Sequence, residues 1–411
     1  MIIASRQKQG KACMRPLRGG ACCRTSAGMS DSPQIIVLFS GGLDSLLTAK
    51  LLERQGLAVR CLHFYSPFFG GEAAAAHWRK IYDLDIVTQD VGPQFAAMLR
   101  QRPEHGFGKV LNPCVDCKIL LLREARKYME SVGAKALASG EVLGQRPMSQ
   151  RRDTLNVIMR DAAVADILLR PLCAKHLPPT PVEDSGLVDR SRLLGIWGRG
   201  RTEQLNLAKE YGIKEIPTPG GGCRLTEREN ARRYWLVLTR LSEPSASDFT
   251  LANLGRQFWH SEGQNHYWLC VGRNSADNDL LAAAAGSDDL ILRMRDMPGP
   301  LALARNGALW PEDVLRTACQ MTSSYAPKAV ATGGDVFVRA RRGEEFTDIS
   351  VPTQRCEELW NEPAWDEIKG VIRAEARERQ AAQDAAKAAA REARYEAERL
   401  EAGREDDPTG A

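Results

Sequence analysis

The residues best suited to chemistry form the hexapeptide Ser40-Gly41-Gly42-Leu43-Asp44-Ser45, which follows a short apolar run. We predict a helix over 44–56, and the glycines leave backbone N–H groups open at its start, where the helix dipole favours an anion. The hydroxyls of Ser40 and Ser45 can donate to phosphate oxygens. Asp44 is unsuited to touch phosphate, so we expect it to bridge through Mg²⁺ or to cap the helix. The sequence therefore predicts a triphosphate-binding loop made of Ser40, Gly41, Gly42, Asp44 and Ser45.

A second group of polar residues follows a predicted strand at 134–139. It reads Ser-Gly-Glu-Val-Leu-Gly-Gln from Ser139 and includes Ser149 further on. Gly140, at the carboxyl end of a strand, suits the floor beneath a nucleotide. Gln145 and Ser149 can hydrogen-bond to phosphate or ribose. The alternative is a loop in which these two side chains hydrogen-bond only to the backbone of the loop itself.

The hexapeptide is also a family signature. It differs from the Walker A pattern, because no Gly-Lys-Ser/Thr follows, and it resembles the PP-loop family, whose members cleave ATP between the α and β phosphates and adenylate a substrate. Four further segments resemble the pyrophosphatase domain of tRNA 4-thiouridine synthetases: 140–150, 167–172, 195–213 and 217–226. The resemblance covers about half of the chain. It implies an enzyme that uses ATP and Mg²⁺ and forms AMP and pyrophosphate.

Three cysteines are candidates for sulfur handling. Cys114 and Cys117 form a Cys-x-x-Cys pair, and Cys223 lies in a Gly-Cys element similar to the one that carries the sulfur-handling cysteine in these synthetases and in tRNA 2-thiouridylases. In one mechanism Cys223 carries a persulfide that Cys114 or Cys117 resolves. In the other, which we place first, the three thiolates hold a [4Fe-4S] cluster with one iron open for sulfide. Zinc is a third alternative, with His105 or His176 as the fourth ligand.

Arginines and a lysine are candidates for phosphate contacts. Arg199 and Arg201 could contact phosphate of ATP or of RNA, although each taken alone would be a solvated surface residue. Residues 250–345 resemble the RNA-binding domain of the NFACT family through their Gly-Arg-Asn, Asn-Asp and Pro-Gly elements. This resemblance implies tRNA binding by Arg273 and Lys328, together with Arg293, Arg295, Arg339, Arg341 and Arg342. The alternative is a scaffold with an ordinary charged surface.

These residues need a parallel sheet to position them. Predicted strands at 35–39, 58–65, 81–88 and 134–139 alternate with helices such as 117–132, which is typical of a doubly wound α/β fold. We divide the chain into a disordered basic extension (1–33), a PP-loop domain (34–242), a small α+β RNA-binding-like domain (243–346) and a charged helical tail (347–411). The α+β unit would take the place of the THUMP domain that such synthetases usually carry at the N-terminus.

Composition sets limits on the environment of the protein. The chain has 411 residues, a formal net charge of +4 and 11 cysteines. Most of the cysteines stand singly in apolar segments, which is typical of buried residues in a reducing cytosol, so we expect a cytoplasmic protein. No apolar run is long enough to predict a membrane span.

The leading hypothesis is an ATP-dependent tRNA sulfurtransferase. ATP would adenylate a uracil carbonyl oxygen, and bound sulfide or a persulfide would displace AMP. The partners would be tRNA and a sulfur donor, either a cysteine desulfurase or sulfide itself. Two alternatives stay open: a PP-loop enzyme that adenylates a small molecule, and a non-catalytic RNA-binding module. A homodimer is also left open, since the sequence does not reveal the oligomeric state.

Overall fold

The computed structural model describes residues 32–217 and 222–405. The first half is built on a parallel five-stranded sheet in the order β3-β2-β1-β4-β5. Its strands are β1 (Ile35–Leu38), β2 (Val59–Tyr65), β3 (Ile86–Asp90), β4 (Ala136–Ser139) and β5 (Leu168–Leu169). Its helices are α1 (Leu43–Glu53), α2 (Glu72–Tyr82), α3 (Gly92–Gln101), α4 (Cys114–Ser131), α5 (Arg152–Ala162), α6 (Pro181–Asp184), α7 (Thr202–Glu210), α8 (Arg228–Arg240) and α9 (Ala246–Ala252). The predicted basic extension, up to residue 31, lies outside the described residues, as does 218–221.

Helices cover both faces of this sheet. On one face, Ile35 and Val37 of β1 share a buried cluster with residues of α1 and α7. On the other face, Ile36 of β1 shares a cluster with residues of α4 and α5. Strands that are buried on both faces read as continuous apolar runs, which is why β1 was predictable. The predicted doubly wound α/β fold is confirmed. Because β1 lies between β2 and β4, its carboxyl end opens at the point where the strand order reverses, the usual ligand position in such sheets.

Two predicted elements differ from the observed ones. The strand predicted at 81–88 begins only at Ile86, because α2 continues through Tyr82. Ala75 and Tyr82 lie two helical turns apart and are both buried, so the packing of this face keeps the segment helical through Tyr82. Asp83 then ends the helix in a left-handed conformation, with φ of 48°. Helix α4 begins at Cys114 rather than at 117, which places Cys114 and Cys117 together on its first turn.

The second half contains an antiparallel six-stranded sheet in the order β11-β10-β8-β9-β7-β6. Its elements are β6 (Arg256–Glu262), β7 (Asn265–Val271), α10 (Ser275–Ala283), β8 (Leu290–Met294), β9 (Leu301–Arg305), α11 (Glu312–Ser323), α12 (Pro327–Thr332), β10 (Val336–Arg342) and β11 (Glu345–Val351). Helix α11 packs on one face, where Val314 and Ala318 meet Leu292 and Val338. The domain boundary that we predicted at 346/347 lies inside β11, which pairs with β10 along its whole length.

The two halves of the chain share one hydrophobic cluster, to which the first half contributes helix and loop residues and the second half strand residues. Aromatic residues of the first half, including Phe68 and Phe95, are buried with Trp268 and Leu303 of the second sheet. The last helix, α13 (Trp365–Glu405), contributes Ile368 and Ile372 to the same cluster. Its first turns are therefore anchored in the core, and the charged helix that we predicted is solvated only beyond them. No helix of the described part of the chain is long and apolar enough to cross a membrane.

Candidate functional site

The predicted phosphate loop lies between β1 and α1. The Ser45 hydroxyl donates to the carbonyl oxygen of Gly42 over 2.8 Å, and the backbone N–H of Ser40 donates to Ser45 Oγ over 3.3 Å. Gly41 has a φ of +76°, and a Cβ there would lie 2.2 Å from the ring of Trp78. The loop therefore needs glycine at Gly41 both for its backbone conformation and for its contact with the indole.

The end of β4 forms the opposite wall of this loop. A Cβ at Gly140 would lie 2.7 Å from the backbone of Asp44 and Ser45. Beyond it, the Gly144 N–H donates to the Gln150 carbonyl (2.8 Å), and the Gln150 N–H donates to the Arg146 carbonyl (3.1 Å). The loop that follows Gly140 is thus closed by backbone hydrogen bonds, while Gly140 itself touches the phosphate loop.

Asp44 is the most unusual group in the loop. Its Oδ1 atom is buried and has no hydrogen-bond partner among the described residues. Burial raises the pKa of this carboxyl group, and the amides of Gln145 and Gln204 and the charge of Arg201 only partly offset the effect. A desolvated carboxylate oxygen without a donor is a suitable ligand for a hard cation. The residues present therefore fit Mg²⁺, with Asp44 as the protein ligand.

Most of the predicted nucleotide residues gather around Asp44. Gln145 faces the Asp44 carboxylate, and Arg201 lies within electrostatic reach of it. Ser149 is buried in the closed loop, whereas Arg199 is exposed. Gln204 of α7 was not among our predicted site residues. It is fully buried and lies close enough to Asp44 for its amide to lower the pKa of that carboxyl group, but neither amide atom forms a hydrogen bond of ordinary geometry within the described residues.

The two predicted RNA contacts of the second half lie away from this loop. Arg273 forms an ion pair with Asp277 over 2.6 Å, so its guanidinium is already engaged. Lys328 is exposed at the start of α12.

The three cysteines come together near the start of α4. The Leu111 N–H donates to the Leu225 carbonyl over 3.2 Å, which ties the segment before Cys114 to the segment after Cys223. Burial, together with the nearby thiols of Cys223 and Cys114, raises the pKa of Cys117 to about 12. Burial likewise raises the pKa of Cys223 to about 11, with a contribution from Cys114. The Asn112 amide donates to the Cys114 sulfur over 3.0 Å. The three thiols thus lie within electrostatic reach of one another.

The zinc alternative has no support in the described residues. His105 Nε2 lies 3.1 Å from Asp161, and His176 Nε2 lies 2.7 Å from the Gly195 carbonyl oxygen, so both candidate fourth ligands are engaged. In residues 32–217 and 222–405, no group of three or more His, Cys, Asp or Glu side chains, including the three cysteines, is arranged to hold a single metal ion. Three cysteine thiols in a partly apolar setting remain a donor set of the kind that iron–sulfur clusters use.

A buried ion-pair network connects the thiols with the phosphate loop. Glu141, the neighbour of Gly140, is 2.9 Å from Arg170 Nε and 3.5 Å from Lys118 Nζ, and Lys118 follows Cys117 on α4. Burial alone would raise the pKa of Glu141, but the charges of Lys118 and Arg170 and hydrogen bonds from Arg170 and Ser139 hold it at about 2. We did not predict this network. The sequence does contain a signal for it, because Glu141 and Arg170 are charged residues that closely follow apolar strand segments.

Part of the chain is similar in sequence to known proteins. Residues 30–176 match the family model described as thiamine biosynthesis protein (ThiI). Two "Probable tRNA sulfurtransferase" proteins, from Staphylococcus aureus strains Newman and MRSA252, are 29% identical over 120 residues, which is 27% of this chain and 28% of each relative. The chain therefore spans well under a third of the length of these curated relatives.

A solved structure, "Crystal structure of a 4-thiouridine synthetase - RNA complex with bound ATP", aligns with 46% of this chain and 44% of its own, at 22% identity and a TM-score of 0.33. The ThiI match includes the phosphate loop, Cys114, Cys117 and Glu141, and ends before Cys223 and the second sheet.

Proposed function

We propose that the chain is an ATP-dependent tRNA sulfurtransferase, which adenylates a uridine of tRNA and replaces its carbonyl oxygen with sulfur. One observation carries the proposal: a short path of sequence neighbours and contacts links Cys117 to the phosphate loop. Cys117 precedes Lys118, Lys118 pairs with Glu141, and the adjacent Gly140 touches Asp44. The match to ThiI and the names of the curated relatives support the same activity.

The first half-reaction would take place at the phosphate loop. The backbone N–H groups around Gly41 and Gly42, at the start of α1, are suited to the anionic phosphates. Asp44 would hold Mg²⁺, which neutralises charge on the phosphates. The uracil carbonyl oxygen would attack the α-phosphorus and form a bond to it, while the bond to pyrophosphate breaks. In the second half-reaction, sulfide or a persulfide sulfur would add to the activated carbon, and AMP would leave with the original oxygen.

The cysteines would deliver the sulfur. In the version that we place first, Cys114, Cys117 and Cys223 hold a [4Fe-4S] cluster, which would supply an open iron for sulfide. In the second, the outer sulfur of a Cys223 persulfide adds to the activated carbon. Cys114 or Cys117 then attacks the Cys223 sulfur, so that the S–S bond breaks, the outer sulfur stays on the base and a disulfide forms, which a thiol reductant has to reduce before the next turnover. The raised pKa values of Cys117 and Cys223 mean that both are neutral thiols at pH 7 without a metal, and neutral thiols are poor nucleophiles. Metal binding would deprotonate them, which favours the first version.

The direct test uses anaerobically purified protein with bulk tRNA, ATP, Mg²⁺ and sulfide. We expect AMP, pyrophosphate and thiouridine, the last measured by mass spectrometry of tRNA nucleosides. AMP formed without thiouridine would point to a small-molecule substrate, and no AMP at all would point to a non-catalytic RNA-binding module. Adding a cysteine desulfurase and cysteine in place of sulfide identifies the donor.

Iron and sulfide analysis of cysteine variants separates the two mechanisms. For a cluster, we expect C114S, C117S and C223S each to lose bound iron and thiouridine formation. C356S is the control, since Cys356 is a comparably half-buried cysteine in the second half of the chain. An active wild-type protein without iron would instead favour the persulfide mechanism.

A further inference from the structure

The face of the second sheet that points away from α11 has two different parts. On β7 and β9, Trp268, Leu301 and Leu303 point to this side and are buried in the cluster shared with the first half. The register continues the same side onto β8, where Arg293 lies opposite Leu301, and onto β10, where Arg339 lies opposite Arg293. Arg293 is exposed, and the outward residues of β10 beside it, Phe337, Arg339 and Arg341, are not part of the shared cluster, so the covered part of the face ends at β8.

The uncovered part combines aromatic rings with arginines. We call it the open face and define it by Arg293, Arg295, Phe337, Arg339, Arg341 and Phe346. Phe337 is 38% exposed and Phe346 is 56% exposed. The Arg295 guanidinium lies 3.8 Å from the centre of the Phe337 ring, and the Arg339 guanidinium lies 4.0 Å from that of Phe346. Two large apolar rings are thus held on a solvent-facing sheet surface by the stacked arginines.

The charge of the open face is positive. Arg295 and Arg339 share Asp348, and Arg295 also pairs with Asp296. Arg293 and Arg341 are exposed, and neither side chain forms a hydrogen bond or an ion pair with another residue of the described chain. Two guanidinium groups are therefore left to bind an anion next to two exposed rings.

We propose that the open face binds a single-stranded segment of RNA, with bases stacked on Phe337 and Phe346 and phosphates contacted by Arg293 and Arg341. Every base offers a π-face to an aromatic ring, and stacking on exposed aromatic side chains is a major source of single-strand affinity. Base-paired RNA hides those faces, so the rings select unpaired nucleotides. The inference rests on the proposed function to the extent that tRNA, which has unpaired loops and ends, is the RNA concerned.

This assignment keeps Arg293 and Arg341 from the contacts predicted from the sequence and leaves out Arg273 and Lys328. Arg273 is engaged by Asp277, and neither Arg273 nor Lys328 lies on the strands of the open face. The stacking residues Phe337 and Phe346 were not predicted, because exposed aromatic residues in strands cannot be told from buried ones before the register is known.

The test measures RNA binding by the full chain. The probes are a fluorescently labelled single strand of about 12 nucleotides, within the usual range of site sizes, and the duplex that it forms with its complement. The double variant F337L/F346L keeps the apolar volume and removes the rings. We expect it to lose at least about 10-fold in single-strand affinity, since stacking contributes roughly 5- to 150-fold per base, with duplex binding unchanged. The variant F337Y/F346Y should retain single-strand binding.

Matched controls are available on the same chain. Leu309 is a 75% exposed apolar residue away from the open face, so L309A should bind RNA like the wild type. R293Q/R341Q should weaken both probes and reduce the salt dependence of binding, because phosphate contacts release counterions. R377Q, on the exposed surface of α13, should do neither. Thermal denaturation of each variant confirms that it is folded.

Three outcomes would overturn the inference. Equal losses of single-strand and duplex binding in F337L/F346L would mean that the rings do not stack on bases. Unchanged single-strand binding in that folded variant would place the RNA elsewhere. Failure of the wild type to bind either probe would point to an acidic protein as the occupant. Thiouridine formation is assayed separately: its absence from a wild type that passes the binding test would refute the proposed function and leave the inference intact.

Discussion

Gly140 packs against the backbone of Asp44 so closely that a Cβ on Gly140 would lie 2.7 Å from the Asp44 carbonyl oxygen. The obstructing atom belongs to the backbone of α1, so it cannot move aside by a change of rotamer. The end of β4 and the phosphate loop therefore hold each other in position. The shape of the loop depends on a residue almost one hundred positions away in the sequence.

Replacing Gly140 with alanine should damage ATP binding. Overpacking of this kind typically costs about 1–3 kcal/mol, and here the strain falls on the phosphate loop. We expect the affinity of G140A for ATP, measured by isothermal titration calorimetry, to fall about 10-fold or more. G334A is the control, because Gly334 has no heavy atom within 4 Å of its added Cβ and needs no positive φ. A folded G140A with wild-type affinity would contradict this account of the loop.

Replacing Asp44 with asparagine should separate stability from activity. Burial in the folded state raises the pKa of Asp44, so the ionised carboxylate destabilises the folded protein at pH 7. Lowering the pH through the raised pKa protonates Asp44 and removes this destabilisation. D44N removes an unsatisfied buried charge, worth about 1–3 kcal/mol, and should raise the Tm. It should also remove Mg²⁺-dependent pyrophosphate release.

The wild type should likewise lose this activity on acidification at a higher pH than an ordinary aspartate would require. D153N is the comparison, because Asp153 is an exposed first-turn aspartate of α5. A D44N variant that is less stable than the wild type would argue against the unpaired carboxylate.

The local parts of the site were predictable, and the contacts between distant segments were not. The phosphate loop is encoded by neighbouring residues: an apolar run, two glycines and a helix start. Gln204 meets Asp44 only because α7 packs on α1, and the pairing of Glu141 with Arg170 depends on β4 and β5 being neighbours. In β10, alternation marks Phe337, Arg339 and Arg341 as one side, but only the register places Phe346 beside them.

The Glu141 network should make the protein sensitive to acid. The pKa of Glu141 is held at about 2, below its ordinary 4.5, so its stabilisation is fully present above about pH 4.5 and is lost as the pH falls toward 2. The difference corresponds to about 3 kcal/mol of unfolding free energy. We expect E141Q to lose about this amount in urea denaturation at pH 7, and its deficit to shrink as the pH is lowered.

The control for E141Q is a variant of a solvent-exposed ion pair on the same protein. Glu243 pairs with Arg100 but its side chain is 80% exposed, so E243Q should change the unfolding free energy by less than about 1 kcal/mol at any pH. A deficit of E141Q that stays constant with pH would show that the charge of Glu141 is not the cause.

The first turns of α13 should be required for the stability of both halves. Ile372 is 7% exposed and lies in the cluster shared by the two halves of the chain, whereas its neighbour Val371 is 56% exposed. Truncating a buried isoleucine to alanine costs about 2–5 kcal/mol, so I372A should lower the urea midpoint markedly. V371A, on the same helix turn, should remain close to the wild type. Separate unfolding transitions for the two halves in the wild type would contradict a shared core.

The shared cluster has a consequence for how a nucleotide would be chosen. Because Phe68, Trp268 and Ile372 are buried together, the second sheet cannot swing relative to the cysteines without opening the core. The distance between the open face and the thiols is then fixed, so an RNA bound at the open face, as we propose, would reach the thiols at a set distance along its chain. The nucleotide to be modified would then be selected by its distance from the unpaired segment at the open face. The protein would not need to recognise the bases between the open face and the thiols.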